Sequence, residues 1–240
     1  MKQPMWIIGA GNLVGAAAVV VGIALVITGA ASAWWLAGWL AFHLFGSLML
    51  SVGLHRYFSH GSFKTSMFWH RVMAYSSVLL LNGSPLGWAT AHMTHHVHSD
   101  GPGDPHYAKW PYAVWKQYRS VNMVKRRLRR IVSDPTVRFV HRHGTELWLA
   151  FVALVALISP TALLFLYLMP LGSTHLIGSA HQLLSHRAGQ PRDLPWMEFI
   201  LPACGEWHHA THHENAKLSD LRTKWWHVDL GAAFIRAIRV

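Results

Sequence analysis

Cysteine is almost absent from this sequence: Cys204 is the only one in 240 residues. That excludes a disulfide framework, a Cys-x-x-Cys metal site and a cysteine-held iron–sulfur cluster. Cys204 itself reads as a small buried apolar residue. Acidic residues are also scarce, ten Asp and Glu against 21 Lys and Arg, giving a formal net charge of +11. Charge is missing altogether from two long stretches. Gln3 to His55 covers 53 residues and Leu147 to His186 covers 40, with no Asp, Glu, Lys or Arg in either. A bilayer core needs about 20 apolar residues per helix, and a charge placed there is costly. The chain is therefore not a water-soluble globule, and each stretch is long enough for two spans in a hairpin. No cleavable signal peptide is expected, because the only early charge is Lys2 and the apolar run is too long. No low-complexity tract or flexible linker appears.

The pattern predicts one integral-membrane domain over residues 1–240, all-α, with four transmembrane helices in two hairpins. The spans fall at about 6–28, 33–55, 142–158 and 160–186. The first hairpin turns at Thr28–Ser32. The second turns at Ser159–Pro160, an N-cap followed by proline at the first helical position; Met169–Gly172 is the alternative, and Pro170 is expected to kink the last span. Gly11 and Gly15 form a GxxxG pair suited to close helix packing. Ten Lys and Arg lie between Lys109 and Arg142. Lys and Arg favour the cytoplasmic side, so this loop and both termini are expected there. The run Lys125–Arg130 reads as an orienting, lipid-facing basic loop rather than a nucleic-acid site. Trp34, Trp35, Trp225 and Trp226 are candidate interface anchors.

What is abundant is histidine, 19 residues. His-Met-Thr-His-His at 92–96 returns as His-Ala-Thr-His-His at 209–213. At about 100° per residue, His92, His95 and His96 share one helix face, and so do His209, His212 and His213. A third box, His55-Arg-Tyr-Phe-Ser-His60, ends the second span. Its pair is five residues apart, about 140° on a regular helix, so a fraying helix end is expected to turn both rings inward. His186 closes the last span. A lone histidine is usually a hydrogen-bonded packing residue, which is the reading for His43, His70, His175 and His181. His98 and His208 flank the boxes. His106, His141, His143 and His227 read as solvated loop residues. Three boxes, two with identical spacing, point to metal binding. Their nitrogens exceed the four ligands of one tetrahedral zinc and suit two ions, with Zn, Cu, Fe and Ni all compatible. The boxes share a site only from one membrane face. That requires the apolar segment Val72–Leu86, broken by Asn82-Gly-Ser-Pro85, to be an interfacial or re-entrant helix pair rather than a span.

The residues resemble the membrane fatty acid desaturases of the stearoyl type, from about Leu54 to His213. HRYFSH (55–60) is similar to the family's first box, HRxxxH. WATAHMTHHVHSD (88–100), followed by Asp104-Pro-His106, is similar to the second. GEWHHATHH (205–213) is similar to the third. The family's Asn-x-x-x-His-x-x-Gly reads here Gln182-Leu-Leu-Ser-His186-Arg-Ala-Gly189, with glutamine for asparagine.

The resemblance implies a non-haem di-iron centre, two Fe ions held by His55, His60, His92, His95, His96, His186, His209, His212 and His213. Gln182, Asp100 and Glu206 would support those ligands, Asp104 less securely. It implies an oxidoreductase that uses O2 and two electrons to place a cis double bond in a fatty acyl chain carried on CoA, acyl carrier protein or lipid. Electrons would come from a separate donor such as ferredoxin, rubredoxin or cytochrome b5. A bacterial inner membrane with a cytoplasmic metal site is the expected setting, and nucleic acid is not an expected partner. A related hydroxylase, acetylenase or sterol/carotenoid oxidase is the nearest alternative. A metal- or haem-binding transport protein is the alternative of another class, disfavoured because the clusters sit at span ends rather than at the midplane.

Overall fold

The computed structural model describes residues 5–101, 103–105, 128–187 and 189–240. His106 and the basic loop from Lys109 to Arg127 lie outside the described residues. Among the described residues the chain is helical, with a single two-stranded ribbon. Helix α1 is Met5–Ile27. Helix α2, Trp34–Leu48, runs on without a break into a π-helical stretch, Met49–His60. Helices α3 (Met67–Leu79) and α4 (Pro85–His98) follow. After them come α5 (Arg129–Val132) and α6 (Pro135–Ile158). The last long helix is composite: α7 (Pro160–Ala162), a π-helical stretch (Leu163–Leu168) and α8 (Met169–Ser185). Strands β1 (His186–Arg187) and β2 (Gln190–Pro191) pair antiparallel. Two short helices, α9 (His209–Glu214) and α10 (Leu230–Ile238), complete the order.

Among the described residues, three helices are long and apolar enough to cross a membrane: Ile7–Ile27, Trp34–His60 and Pro160–Ser185. Four were expected. The difference is α6, whose helix begins at Pro135, capped by Asp134 Oδ1 accepting the Val137 N–H at 2.9 Å. Its first half carries Arg138, Arg142 and Glu146, so only Leu147–Ile158 is apolar. His141 and His143 therefore stand on a helix rather than in a loop. The second hairpin turns at Ser159, whose Oγ accepts the Ala162 N–H at 3.1 Å ahead of Pro160. Met169–Gly172 is continuous helix. Pro170 lacks an N–H and its ring crowds the carbonyl four residues back. The chain meets that demand with the wider π-helical turn just before it, Leu163–Leu168.

Helix α1 packs along α8. A Cβ on Gly15 would stand 2.6 Å from the Gly172 backbone nitrogen, so only glycine permits this approach. Gly11 faces Leu81 instead. Trp35 stacks on Phe165 at 5.5 Å, while Trp34 is 84% exposed and Trp225 93%. The segment Val72–Leu86 forms the end of α3, a turn and the start of α4. Ser84 caps α4 ahead of Pro85, accepting the Gly87 N–H at 3.2 Å. The tip of this pair reaches the middle of the last long helix, where Tyr167 Oη donates to the Leu79 carbonyl at 2.7 Å. That placement agrees with a re-entrant pair. The core beneath the histidines gathers Val52, Leu54, Phe58, Met73, Val78, Val137 and Ile235. Each such side chain contributes about 1.5–3 kcal/mol by burial.

Candidate metal centre

The π-helical stretch explains the first box. Its backbone hydrogen bonds join residues five apart, and the Ser59 hydroxyl also donates to the Leu54 carbonyl at 2.8 Å. His55 and His60 therefore turn inward from an ordered helix, not from a frayed end, and their rings lie 5.1 Å apart. The second box stands on the last two turns of α4. The third occupies α9, which Asp193 fixes by accepting the Thr211 N–H at 3.1 Å and its hydroxyl at 2.6 Å. The chain reaches α9 through Cys204 and Gly205, both with positive φ (57° and 97°). A side chain at Gly205 would run into Arg56 and Asp229.

All nine expected histidines come together, in two adjoining groups. His55, His60, His92, His96 and His212 form one; His95, His186, His209 and His213 form the other. Within each group one ligand atom per residue lies within 4.8 Å of every other. The facing atoms are Nε2. The separations are 2.9 Å for His55–His212, 2.8 Å for His60–His92 and 2.9 Å for His96–His212. In the second group they are 2.7 Å for His186–His209, 3.1 Å for His209–His213 and 3.3 Å for His95–His213.

Carboxylates hold the opposite ring edges. His55 Nδ1 lies 2.6 Å from Glu206, His186 Nδ1 2.9 Å from Asp100, and His95 Nδ1 2.9 Å from Asp104. A proton held on Nδ1 leaves the Nε2 lone pair pointing inward. Several such lone pairs about 3 Å apart repel unless a cation lies among them. The donor set thus fits metal ions, one per group. Burial, then neighbouring imidazoles, push His92, His96, His209 and His212 well below the usual histidine range and His213 down to about 3. These five imidazoles are neutral at pH 7, the state that binds metal. Burial alone would raise the Glu206 carboxyl, but His55, Arg56 and Ser51 outweigh it and hold it at about 2.

Several participants were missed or underrated in the sequence. Trp88 stacks on His92 at 4.7 Å. Asp104 takes as direct a place as Asp100. His181 was read as packing; it touches the His209 ring edge at 4.7 Å and meets the Glu206 carbonyl at 2.8 Å. Arg56, 1% exposed, donates to Asp229 at 2.9 Å and to the Cys204 carbonyl at 3.0 Å, tying the first box to the C-terminal segment. Its position inside HRYFSH was the available signal. His227 is buried against the His208 ring, not solvated as expected. Gln182 borders the site with its Oε1 unpaired among the described residues.

A slot of about 830 Å³, including its open side, descends from His55, His92, His95 and His209 between the second and last long helices. Trp88, Leu50, Ile177, Gly178 and Ala203 line it, together with Ser47, Thr174, His175 and Gln182.

Fold and site define a class: a helical membrane protein whose histidine cluster can hold metal. No protein-family model matches the chain. It is 26% identical to the sn-1 stearoyl-lipid 9-desaturase of Anabaena variabilis, over 84% of this chain and 79% of that protein. It is 25% identical to the sn-2 palmitoyl-lipid 9-desaturase of Nostoc sp. (strain 36), over 78% and 72%. A shorter likeness, 39% over 33% of this chain and 27% of the other, is to the hex-5-enoyl-[acyl-carrier protein] acetylenase of Moorena producens (strain JHB). These relatives support placing the chain in the membrane fatty acid desaturase family, the one its three histidine boxes resemble.

Proposed function

We propose that the protein is an O2-dependent fatty acyl desaturase that forms a cis double bond at a two-iron centre. The observation that carries this reading is the inward convergence of nine imidazole Nε2 atoms at the head of the slot. His55, His60, His92, His96 and His212 would hold one iron, and His95, His186, His209 and His213 the other. Imidazole suits iron among other metals. When bound, the pair supplies the oxidising power that O2 and two electrons provide for removing two hydrogens from adjacent methylenes. Glu206, Asp100 and Asp104 orient His55, His186 and His95 by accepting their Nδ1 protons. Trp88 and Ala203 close the slot head against water, and Leu50 and Ile177 hold the chain in line. Fixing the reacting carbons in one pose supplies a large part of the rate.

The same reading makes the end of α6, over about 142–158, the fourth span, so that both hairpins put the metal end on the cytoplasmic face of a bacterial inner membrane. The cations of that end, Arg129, Arg130, Arg138 and Arg142, support this orientation. Electrons come from a separate carrier such as ferredoxin, rubredoxin or cytochrome b5, and the acyl chain arrives on lipid, CoA or acyl carrier protein. A second reading, triple-bond formation, is favoured by the acetylenase likeness alone. The test is expression in a host with simple fatty acids and a competent donor, with mass spectrometry locating new unsaturation. A new monounsaturated species that vanishes in His96→Ala and His212→Ala supports desaturation. Unchanged lipids would overturn it, and a triple bond would select the second reading.

A further inference from the structure

Between the two-stranded ribbon and the third histidine box runs Leu-Pro-Trp-Met-Glu-Phe-Ile-Leu-Pro-Ala, residues 194–203. Its one ionisable side chain, Glu198, is buried against the Ala203 and Gly205 N–H groups. The rest is apolar, and a short 3-10 helix over Pro195–Phe199 divides it into two faces. On the inner face, Met197 and Ala203 pack with Ile177 and Ala180 of α8. Ile177 and Ala203 also line the slot, so this segment is one of its walls. The outer face carries Trp196, Phe199 and Ile200, which are 51%, 67% and 63% exposed. Three large apolar side chains held outward together are costly in water and mark a surface made for an apolar neighbour.

The position of the segment along the spans says what that neighbour is. His43 Nε2 donates to the Pro202 carbonyl at 3.3 Å. His43 stands inside the second span, twelve residues or about three turns before His55. The segment therefore dips from the histidine centre down the side of the spans. Their outward surface continues onto it: Phe42, next to His43 on α2, is exposed, and so are Leu176 and Leu184, on the turns of α8 around Ile177 and Ala180. The backbone suits the same surroundings. In hydrocarbon, non-helical backbone persists only where its polar groups find partners in the protein. Pro195 and Pro202 have no N–H. The Leu194 N–H donates to the Trp207 carbonyl at 2.8 Å, and the Leu201 N–H to the Met197 carbonyl at 2.7 Å. The Leu201 carbonyl accepts from Trp207 Nε1 at 2.7 Å.

We propose that residues 194–203 form a membrane-inserted loop, with Trp196, Phe199 and Ile200 seated in the hydrocarbon of the lipid leaflet as the outer side of the slot wall. This placement rests on the spans lying in a bilayer and stands whether or not the slot takes an acyl chain. The experiment puts a nitroxide on Phe199→Cys in the metal-loaded full chain, in nanodiscs of phosphatidylcholine and phosphatidylglycerol. Cys204 is buried, so the introduced thiol takes the label. Collisions are measured with O2, which concentrates in hydrocarbon, and with a nickel chelate, which stays in water. Val20→Cys, on the outward side of α1, is the lipid reference, and Lys217→Cys, exposed beyond the third box, is the water reference. The expected result is a Phe199 label that matches Val20, with frequent O2 and few nickel collisions. Where Phe199→Cys loses its metal, Ile200→Cys gives the same measurement from the neighbouring position. A label that matches Lys217 overturns the proposal. A label shielded from both reagents also overturns it, and a Phe199→Cys disulfide dimer would then name a second copy of the chain as the cover.

Discussion

The two histidine groups use the same side chains but are built differently. The five-histidine group stands mostly on long elements, the π-helical end of the second span and α4, with His212 added from α9. One carboxylate backs it, Glu206 behind His55. The four-histidine group draws on segment ends: the end of α4, the residue after α8, and the six-residue α9. Two carboxylates back it, Asp104 behind His95 and Asp100 behind His186. Helical regularity positions the first group, and hydrogen-bonded carboxylates do the equivalent work in the second. The groups are therefore expected to fail in different ways.

The largest effect comes from removing a ring. His212→Ala should empty the five-histidine group, and His209→Ala the four-histidine group. Each should cost one of the two ions by elemental analysis and lower turnover by more than a hundredfold, since outer partners alone are worth 10–100-fold. Retention of both ions in either variant would break the division into two groups. Next comes the tie between the cap and the first box. Asp229→Ala leaves Arg56 charged and buried without its carboxylate, which typically costs 3–5 kcal/mol. Thermal melts in detergent should show a large loss; a melt unchanged from wild type would mean that the C-terminal segment does not brace the centre.

A smaller effect separates the groups directly. Asp104→Asn and Glu206→Gln both keep the size of the side chain but weaken acceptance of an imidazole Nδ1 proton. Each should lower metal affinity by about 10–100-fold. Asp104→Asn should act on the four-histidine ion and Glu206→Gln on the five-histidine ion. A competition titration with a chelator should resolve two sites, one displaced in each variant. Loss of the same ion in both would merge the groups into one unit.

The sequence showed much of this, and the shortfalls have physical causes. Charge-free length placed the long helices to within a few residues, because hydrocarbon admits so few alternatives. Identical His-x-x-His-His spacing placed six rings on two helical faces. The first box was harder: His55 and His60 suit a π-helical turn, whereas 100° spacing sets them apart, and local sequence does not announce that winding. The fourth expected span, about 142–158, is not among the described helices long and apolar enough to cross a membrane, because the absence of charge after Leu147 says nothing about how much charged helix precedes it. Asp104 was underrated because its partner is settled by a loop after α4, and His227 because its burial depends on a contact with His208, nineteen residues earlier.

The smallest effect distinguishes the supporting turn from the centre itself. Glu198, 6% exposed, accepts the Ala203 N–H at 3.0 Å and the Gly205 N–H at 2.6 Å, and so holds the turn that leads into the third box. Burial pushes its carboxyl up to about 7, against the lowering effect of those two N–H groups. The folded value thus lies above the value near 4.3 expected for an unfolded glutamate. Between the two, the folded chain binds more protons than the unfolded one, so stability falls as pH rises. The contribution is full below the unfolded value and gone above about pH 8, with roughly 1 kcal/mol lost between pH 6 and 8. Glu198→Gln should flatten that slope in thermal melts without changing the metal content. If the fall survives in the variant, Glu198 is not its source, and neither is the histidine centre, whose lowered pKa values make stability rise with pH.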